Sequence, residues 1–194
     1  KDDSTILDVG SSTFSGNAGL NMTDNSRFRM KTLNQTLPQL LGDYELVGGT
    51  IELYGTSSSQ THSIKGGVTY YNVDINAEEA NINATYANVV ASSSFAVNGT
   101  MSVNNPACFR ISANYNISGL GSFIVQNGAT FKYAHVDGIS YIENVGNIRT
   151  ANKQFSSEAS YGFSGSVSQY AGDGLPTQIK NLYIDKTSDD AIIT

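Results

Sequence analysis

Short stretches in which apolar and polar residues alternate one by one recur along the whole chain: TIELYG from Thr50, YYNVDIN from Tyr70, SFAVNGTMSVN from Ser94, FRISANYNIS from Phe109, SFIVQNGATFKY from Ser122 and QIKNLYID from Gln178. A period of two puts successive side chains on opposite faces of an extended strand, so each stretch has one face for a core and one for water. NG, GG, GN, DG and SG pairs interrupt them at short intervals and supply the turns. The 194 residues include 24 Ser, 16 Thr, 19 Asn and 19 Gly, with 19 Tyr plus Phe and no Trp. That mixture suits strands and turns. The one stretch with helical spacing, LNQTLPQLLGDYEL from Leu33 to Leu46, carries Pro38 and Gly42, both of which oppose a helix interior. An all-β fold is expected, without any helix longer than a turn or two.

Many short strands suit a sandwich, a barrel or a solenoid, and self-similarity separates them. A shift of 109 residues lays YGTSSSQ (54–60) on FSGSVSQ (163–169) and YYNVDIN (70–76) on IKNLYID (179–185), without a gap. FSGNAGL (14–20) likewise matches ISGLGSF (117–123). The chain reads as a shorter copy, residues 1–78, and a fuller copy, 79–194, of one module, forming a single domain. The first copy lacks VVASSSFAVNGTMSVNNPACF, which has the length of one solenoid coil of ~20 residues. The expected architecture is therefore a right-handed parallel β-helix of roughly nine to ten coils. Antiparallel β-sandwich repeats are the alternative. The closing AIIT would leave a strand edge open, so the chain is expected to be a slice of a longer one or to pair end to end.

Charge excludes some partners. With 11 basic and 17 acidic residues and a net charge of -6, the chain lacks the Lys and Arg surplus that a nucleic acid requires. No run of 18 apolar residues, signal-peptide pattern or lipidation motif occurs, so no membrane insertion is expected. The single Cys108, in NPACFRIS, reads as a small buried hydrophobe.

Several residues invite a functional interpretation. In AGDGLP, Gly172, Gly174 and Pro176 account for a sharp corner, and Asp173 reads as its tip rather than as a ligand or catalytic acid. His62 and His135 are 73 positions apart, and no further ligands at metal-binding spacing accompany them. The acid doublets Asp2-Asp3, Glu78-Glu79 and Asp189-Asp190 offer hard oxygen ligands for calcium, but no Asp-x-Asp-x-Asp-Gly run supports it; no cofactor is expected. Glycosidase chemistry needs two acids some 5 to 10 Å apart. Asp74 and Asp185 are expected on neighbouring strands but out of register, and Arg110 and Arg149 are the only arginines of the second copy, so no enzyme is expected. Outward tyrosines, namely Tyr70, Tyr71, Tyr133, Tyr141 and Tyr183, would form a surface for stacking sugars or docking proteins.

FSSEASYGFSGSVSQYAGDGLPTQIKNLYIDKTSDDAIIT, with VNGTMSV and GLGSFIVQNGATFKYAHVDGI and GNIRT, resembles a repeat of very large secreted surface proteins of the Bacteroidota. These are adhesin-like β-solenoids, many of them exported by the type IX secretion route. The resemblance covers residues 86–194 well and 1–85 as a degraded copy. It implies an extracellular or cell-surface structural role with no catalytic residues to carry over. The expected function is thus a structural repeat segment that stacks on further repeats or on neighbouring copies. A glycan- or receptor-binding module is the second reading, and a β-helical polysaccharide lyase or hydrolase the third.

Overall fold

The computed structural model describes residues 5–12, 14–31, 37, 39–55, 62–76, 89–91, 93–188 and 191–194. Among them there are strands, turns and bends but no helix. Every ladder is parallel, so the antiparallel sandwich does not hold.

The first sheet has seven strands, stacked in chain order: Ile6–Asp8, Arg27–Lys31, Thr50–Tyr54, Asn72–Asn76, Thr100–Val103, Ser122–Val125 and Asn152–Phe155. The second has six, also in chain order: His62–Ile64, Val89–Ala91, Cys108–Ile111, Thr130–Tyr133, Ser160–Gly165 and Asn181–Lys186. A third set joins Thr69–Tyr70, Phe95–Val97 and Ile117–Ser118, and Ile148 bridges to Ile117 beyond it. Two further pairs are Ser15–Gly16 with Gln39–Leu40, and Leu20–Met22 with Tyr44–Leu46. Successive first-sheet strands are separated by about 20 to 30 residues, which is the length of a crossover rather than of a hairpin.

Side-chain alternation is what builds the core. On the first sheet Phe28, Ile51, Val73, Met101 and Phe123 stand in register, as do Met30, Leu53, Ile75, Val103, Val125 and Phe155, and all are buried. On the second, Val89, Phe109, Phe131, Tyr161 and Leu182 form a row, and Tyr133, Phe163 and Ile184 another. Phe131 ties the two sheets together: its ring is 5.8 Å from that of Phe109 and 5.2 Å from that of Phe123. Close approach of rows excludes side chains at some turns. At Gly121 an added Cβ would lie 2.0 Å from the Gly99 carbonyl oxygen, so only glycine fits.

Two expectations need correction. Among the described residues the chain passes through the first sheet seven times, and successive passages are about 20 to 30 residues apart, longer than the ~20 expected of a coil. Residues 134–151, for example, leave the strand pattern through turns at Gly138, Asn144 and Gly146, all at positive φ. The 109-residue correspondence joins different sheets: Tyr54 and Asn72–Asn76 belong to the first, Phe163 and Asn181–Lys186 to the second. What it preserves is adjacency, since each pair of segments forms consecutive rows. Inward and outward alternation is alike in both sheets, so sequence likeness does not reveal which sheet a strand joins. The expected copy boundary, 78/79, lies outside the described residues. AIIT is paired on one side, where Ile193 bridges to Gln169, and Asn181–Lys186 is the corresponding edge of the second sheet.

Candidate functional site

The outer face of the first sheet carries a charged network built by register alone. Asp8, Arg29, Glu52 and Asp74 stand opposite one another on successive strands, and Arg27 sits two residues before Arg29 on the same face. Arg27 Nη1 donates to Glu52 Oε2 at 2.9 Å and to Asp74 Oδ2 at 3.1 Å. Arg29 donates through Nε to Glu52 Oε2 at 2.8 Å and through Nη1 to Asp8 Oδ2 at 3.0 Å, while its guanidinium lies 4.3 Å from the Tyr54 ring centre. The Tyr54 hydroxyl donates to Asp8, and Asn76 donates to Glu52 Oε1 at 2.9 Å. Burial alone would raise the Glu52 pKa, but the bonds from Asn76, Arg27 and Arg29 outweigh it and hold the carboxyl below its usual range.

Glu52 and Asp74 stand in register on neighbouring rows about 4.8 Å apart, the placement from which a glycosidase pair could be built. Arg27 bridges the two, and Glu52, held below its usual range, is a poor proton donor. The network therefore pins the first four rows together. Aligning Ile51-Glu52-Leu53 with Val73-Asp74-Ile75 in the sequence would have found this pair. Asp74 and Asp185, expected on neighbouring strands, lie in different sheets.

On the outer face of the second sheet, Val90, Arg110, Lys132, Gly162 and Tyr183 lie in one row. Lys132 is only 3% exposed, against the outward place that alternation gives it. Its Nζ meets Asp185 Oδ2 at 2.8 Å and stands 5.2 Å from the centre of the Tyr183 ring. Gly162 makes this possible, since a Cβ there would lie 2.9 Å from Lys132 Cγ. A glycine between Tyr161 and Phe163 inside a strand is the sequence signal of that close approach.

Beside this row the turn after Cys108–Ile111 and the ends of the three following strands enclose a cleft of about 700 Å³. Behind its rim, Asn147 is fully buried and ties three segments together. It donates to the carbonyls of Ser112 and Tyr115, at 3.0 and 2.7 Å, and accepts from the amides of Ala134 and His135, at 3.3 and 3.0 Å. Gln169, also buried, donates to the carbonyls of Tyr133 and His135.

The five tyrosines do not form one surface. Tyr70 and Tyr133 are core residues, at 1% and 0% exposure, and are withdrawn from it. Tyr70 reaches the Lys65 carbonyl with its hydroxyl at 2.8 Å and packs edge-on against Phe95. Tyr133 packs against Phe131 and Phe163, and its buried hydroxyl has no partner among the described residues. Burial raises the pKa of both hydroxyls. Tyr71 and Tyr141 are exposed and apart, one at the turn before Asn72–Asn76 and the other in the 134–151 excursion, while Tyr183 lies half-buried at Lys132.

Asp173 sits in a turn. Its Oδ1 accepts from the Tyr141 amide at 3.2 Å; that contact and the Ser140 hydroxyl keep its carboxyl below the usual range, the hydroxyl contributing most. Gly172, at φ 80°, leaves no room for a Cβ against the Ile139 carbonyl. His135 turns back on itself, with Nδ1 accepting from the Asp137 amide at 3.2 Å. No group of three metal-ligating side chains occurs among the described residues, and the three acid doublets proposed for calcium lie outside them. Comparison of the chain with protein-family models, with curated proteins and with solved structures finds no match.

Proposed function

We propose that the chain is a right-handed β-solenoid that serves as a structural segment of an extracellular adhesin-like surface protein or filament, acting by stacking and spacing. Three features support the winding. Up to Ser160–Gly165 the chain visits the first sheet, then the second or its Ser15–Gln39 counterpart, then the third or its Leu20–Tyr44 counterpart, in fixed rotation. Parallel crossovers in one sheet are overwhelmingly right-handed. Parallel sheets covered by helices are apolar on both faces, whereas here strands such as Asn72–Asn76 alternate half-buried and buried residues, as expected for a tube wall.

One observation carries the stacking function: the inward rows run on into exposed apolar residues at the sheet edges. Leu7 continues the row of Phe28, Ile51 and Val73, which are at most 3% exposed, yet Leu7 is 52% exposed. Leu182 and Ile184 continue the rows of Tyr161 and Phe163 and are 49% and 64% exposed. Each is core-facing in register and lacks only the next row. An open strand edge with its apolar face uncovered is a template for a further parallel row.

Sedimentation velocity over a concentration series, with electron microscopy of the same samples, tests this. End-to-end multimers are expected for the wild type and only monomers for Leu182→Lys combined with Ile184→Lys. A wild type that stays monomeric at every concentration, or a double variant that assembles equally well, rejects it.

A further inference from the structure

We infer that the cleft beside Arg110 binds an oligosaccharide bearing carboxylate groups. This goes beyond the stacking function and is independent of it, because every lining residue comes from this one chain.

Arg110 is the starting point. Of the four arginines, Arg27 and Arg29 are salt-bridged and Arg149 donates to the Gly146 carbonyl at 3.0 Å. The half-buried Arg110 side chain has neither a hydrogen bond nor an ion pair among the described residues. Its register neighbour is Lys132, a like charge on the adjacent strand. Lys132 is answered by Asp185, and among the described residues Lys186 bonds the Val167 carbonyl and the neutral Gln169 side chain. Arg110 and Lys186 thus line a cleft of about 700 Å³ whose one carboxylate, Asp185, already answers the buried Lys132, on a chain whose net charge is -6. A guanidinium left without a counter-charge at such a place calls for an anion, and its planar fork pairs two-pronged with a carboxylate.

The cleft is long as well as positive. Arg110 lies on the Cys108–Ile111 strand and Asp185 three rows away on Asn181–Lys186, so at about 4.8 Å per row it spans roughly 14 Å. The small Ala134 and Gly165 lie between, with the exposed Ser112 and Ser166 supplying hydroxyls, while the buried Ser164 hydroxyl donates to the Tyr133 carbonyl. Tyr115, half-exposed at the Arg110 end, offers an aromatic surface. One anion-binding end, a hydroxyl-lined middle and an acceptor carboxylate at the far end match an acidic sugar chain, whose hydroxyls Asp185 accepts. Asp185 and the net negative charge oppose a densely charged polyphosphate or nucleic acid.

The test titrates the whole chain with tetrasaccharides of galacturonate, glucuronate and mannuronate, their carboxyl-reduced counterparts, a sulfated tetrasaccharide and a single-stranded oligonucleotide. At least one uronate is expected to bind, at least tenfold more tightly than its reduced counterpart. Arg110→Gln should weaken that binding by tenfold or more at an unchanged melting temperature. Ser166→Tyr, which fills the cleft from its exposed rim, should abolish it. The inference is overturned if no uronate binds, if either variant binds like the wild type, or if only the sulfated sugar binds. Oligonucleotide binding that depends on Arg110 and matches the uronate also overturns it.

Discussion

Asn147→Ala is expected to lower the unfolding free energy by about 3 to 4 kcal/mol, although the residue touches no pocket ligand and bears no charge. Its amide makes four hydrogen bonds, each contributing a net of about 0.5 to 1.5 kcal/mol in a buried setting. Two deserve a discount. The Ser112 carbonyl keeps its bond from the Tyr115 amide and belongs to an exposed residue that water reaches, and the Ala134 bond is long at 3.3 Å. Halving those two leaves about 3 kcal/mol, and the cavity left by the truncated side chain adds the remainder. For a chain of this size the melting temperature should fall by roughly 10 °C. With no Trp present, urea and thermal unfolding are followed by circular dichroism and tyrosine fluorescence. Asn147→Asp provides the sharper control. It keeps an acceptor but turns the donor toward two carbonyls into a charged oxygen, so it should be worse than alanine at neutral pH and recover as the carboxyl is protonated. The exposed Asn114→Ala should stay within about 0.5 kcal/mol of the wild type. If Asn147→Ala falls within about 1 kcal/mol of the wild type, the pinning role assigned to Asn147 is refuted.

The charged network of the first sheet should make the chain acid-sensitive in a defined direction. Glu52 titrates below its usual value of 4.5 when folded, so its stabilisation is present at neutral pH and is lost as pH falls from about 4.5 through the folded value. Glu52→Gln should therefore melt below the wild type at pH 7, and the difference should shrink toward pH 3; a gap that is constant or widens with acid contradicts the network. Gly121→Ala should cost about 1 to 3 kcal/mol, because the new methyl meets backbone oxygens of Gly99 and Val97 that cannot turn aside. Gly67→Ala, with open space around it but φ at 69°, should cost less in the same thermal melts, and an equal loss would argue against close row contact at Gly121.

Strand content and corners were legible because they rest on local rules. Alternation in TIELYG or YYNVDIN determines which residues share a face, and glycines such as Gly172 mark where φ turns positive. Which face is inside is decided by the neighbouring rows, and tyrosine suits either side. That is why Tyr70 and Tyr133 were expected outside and lie in the core. The AGDGLP corner reads as a turn in both sequence and structure. Lys132 escaped notice because its burial depends on Gly162 one row away and on Asp185 two rows away. Arg110 appeared in the sequence as one of two second-copy arginines without a constellation. Its surroundings come from Ser164, Ser166 and Asp185, far apart in sequence and joined only by the stacking order. The number of passages was beyond reach for a related reason: nothing in the local pattern foretells how long an excursion such as 134–151 will be.

In the first and second sheets each strand bonds only to the one before and the one after it in sequence, so residues near the two extremities share no contact to hold against a pull. Traction applied along the stack would peel the chain away one row after another, each release returning about 20 to 30 residues of slack at a similar load. A chain stacked in this way would yield gradually under load, absorbing extension as a shock line does where a globular link would snap open at once.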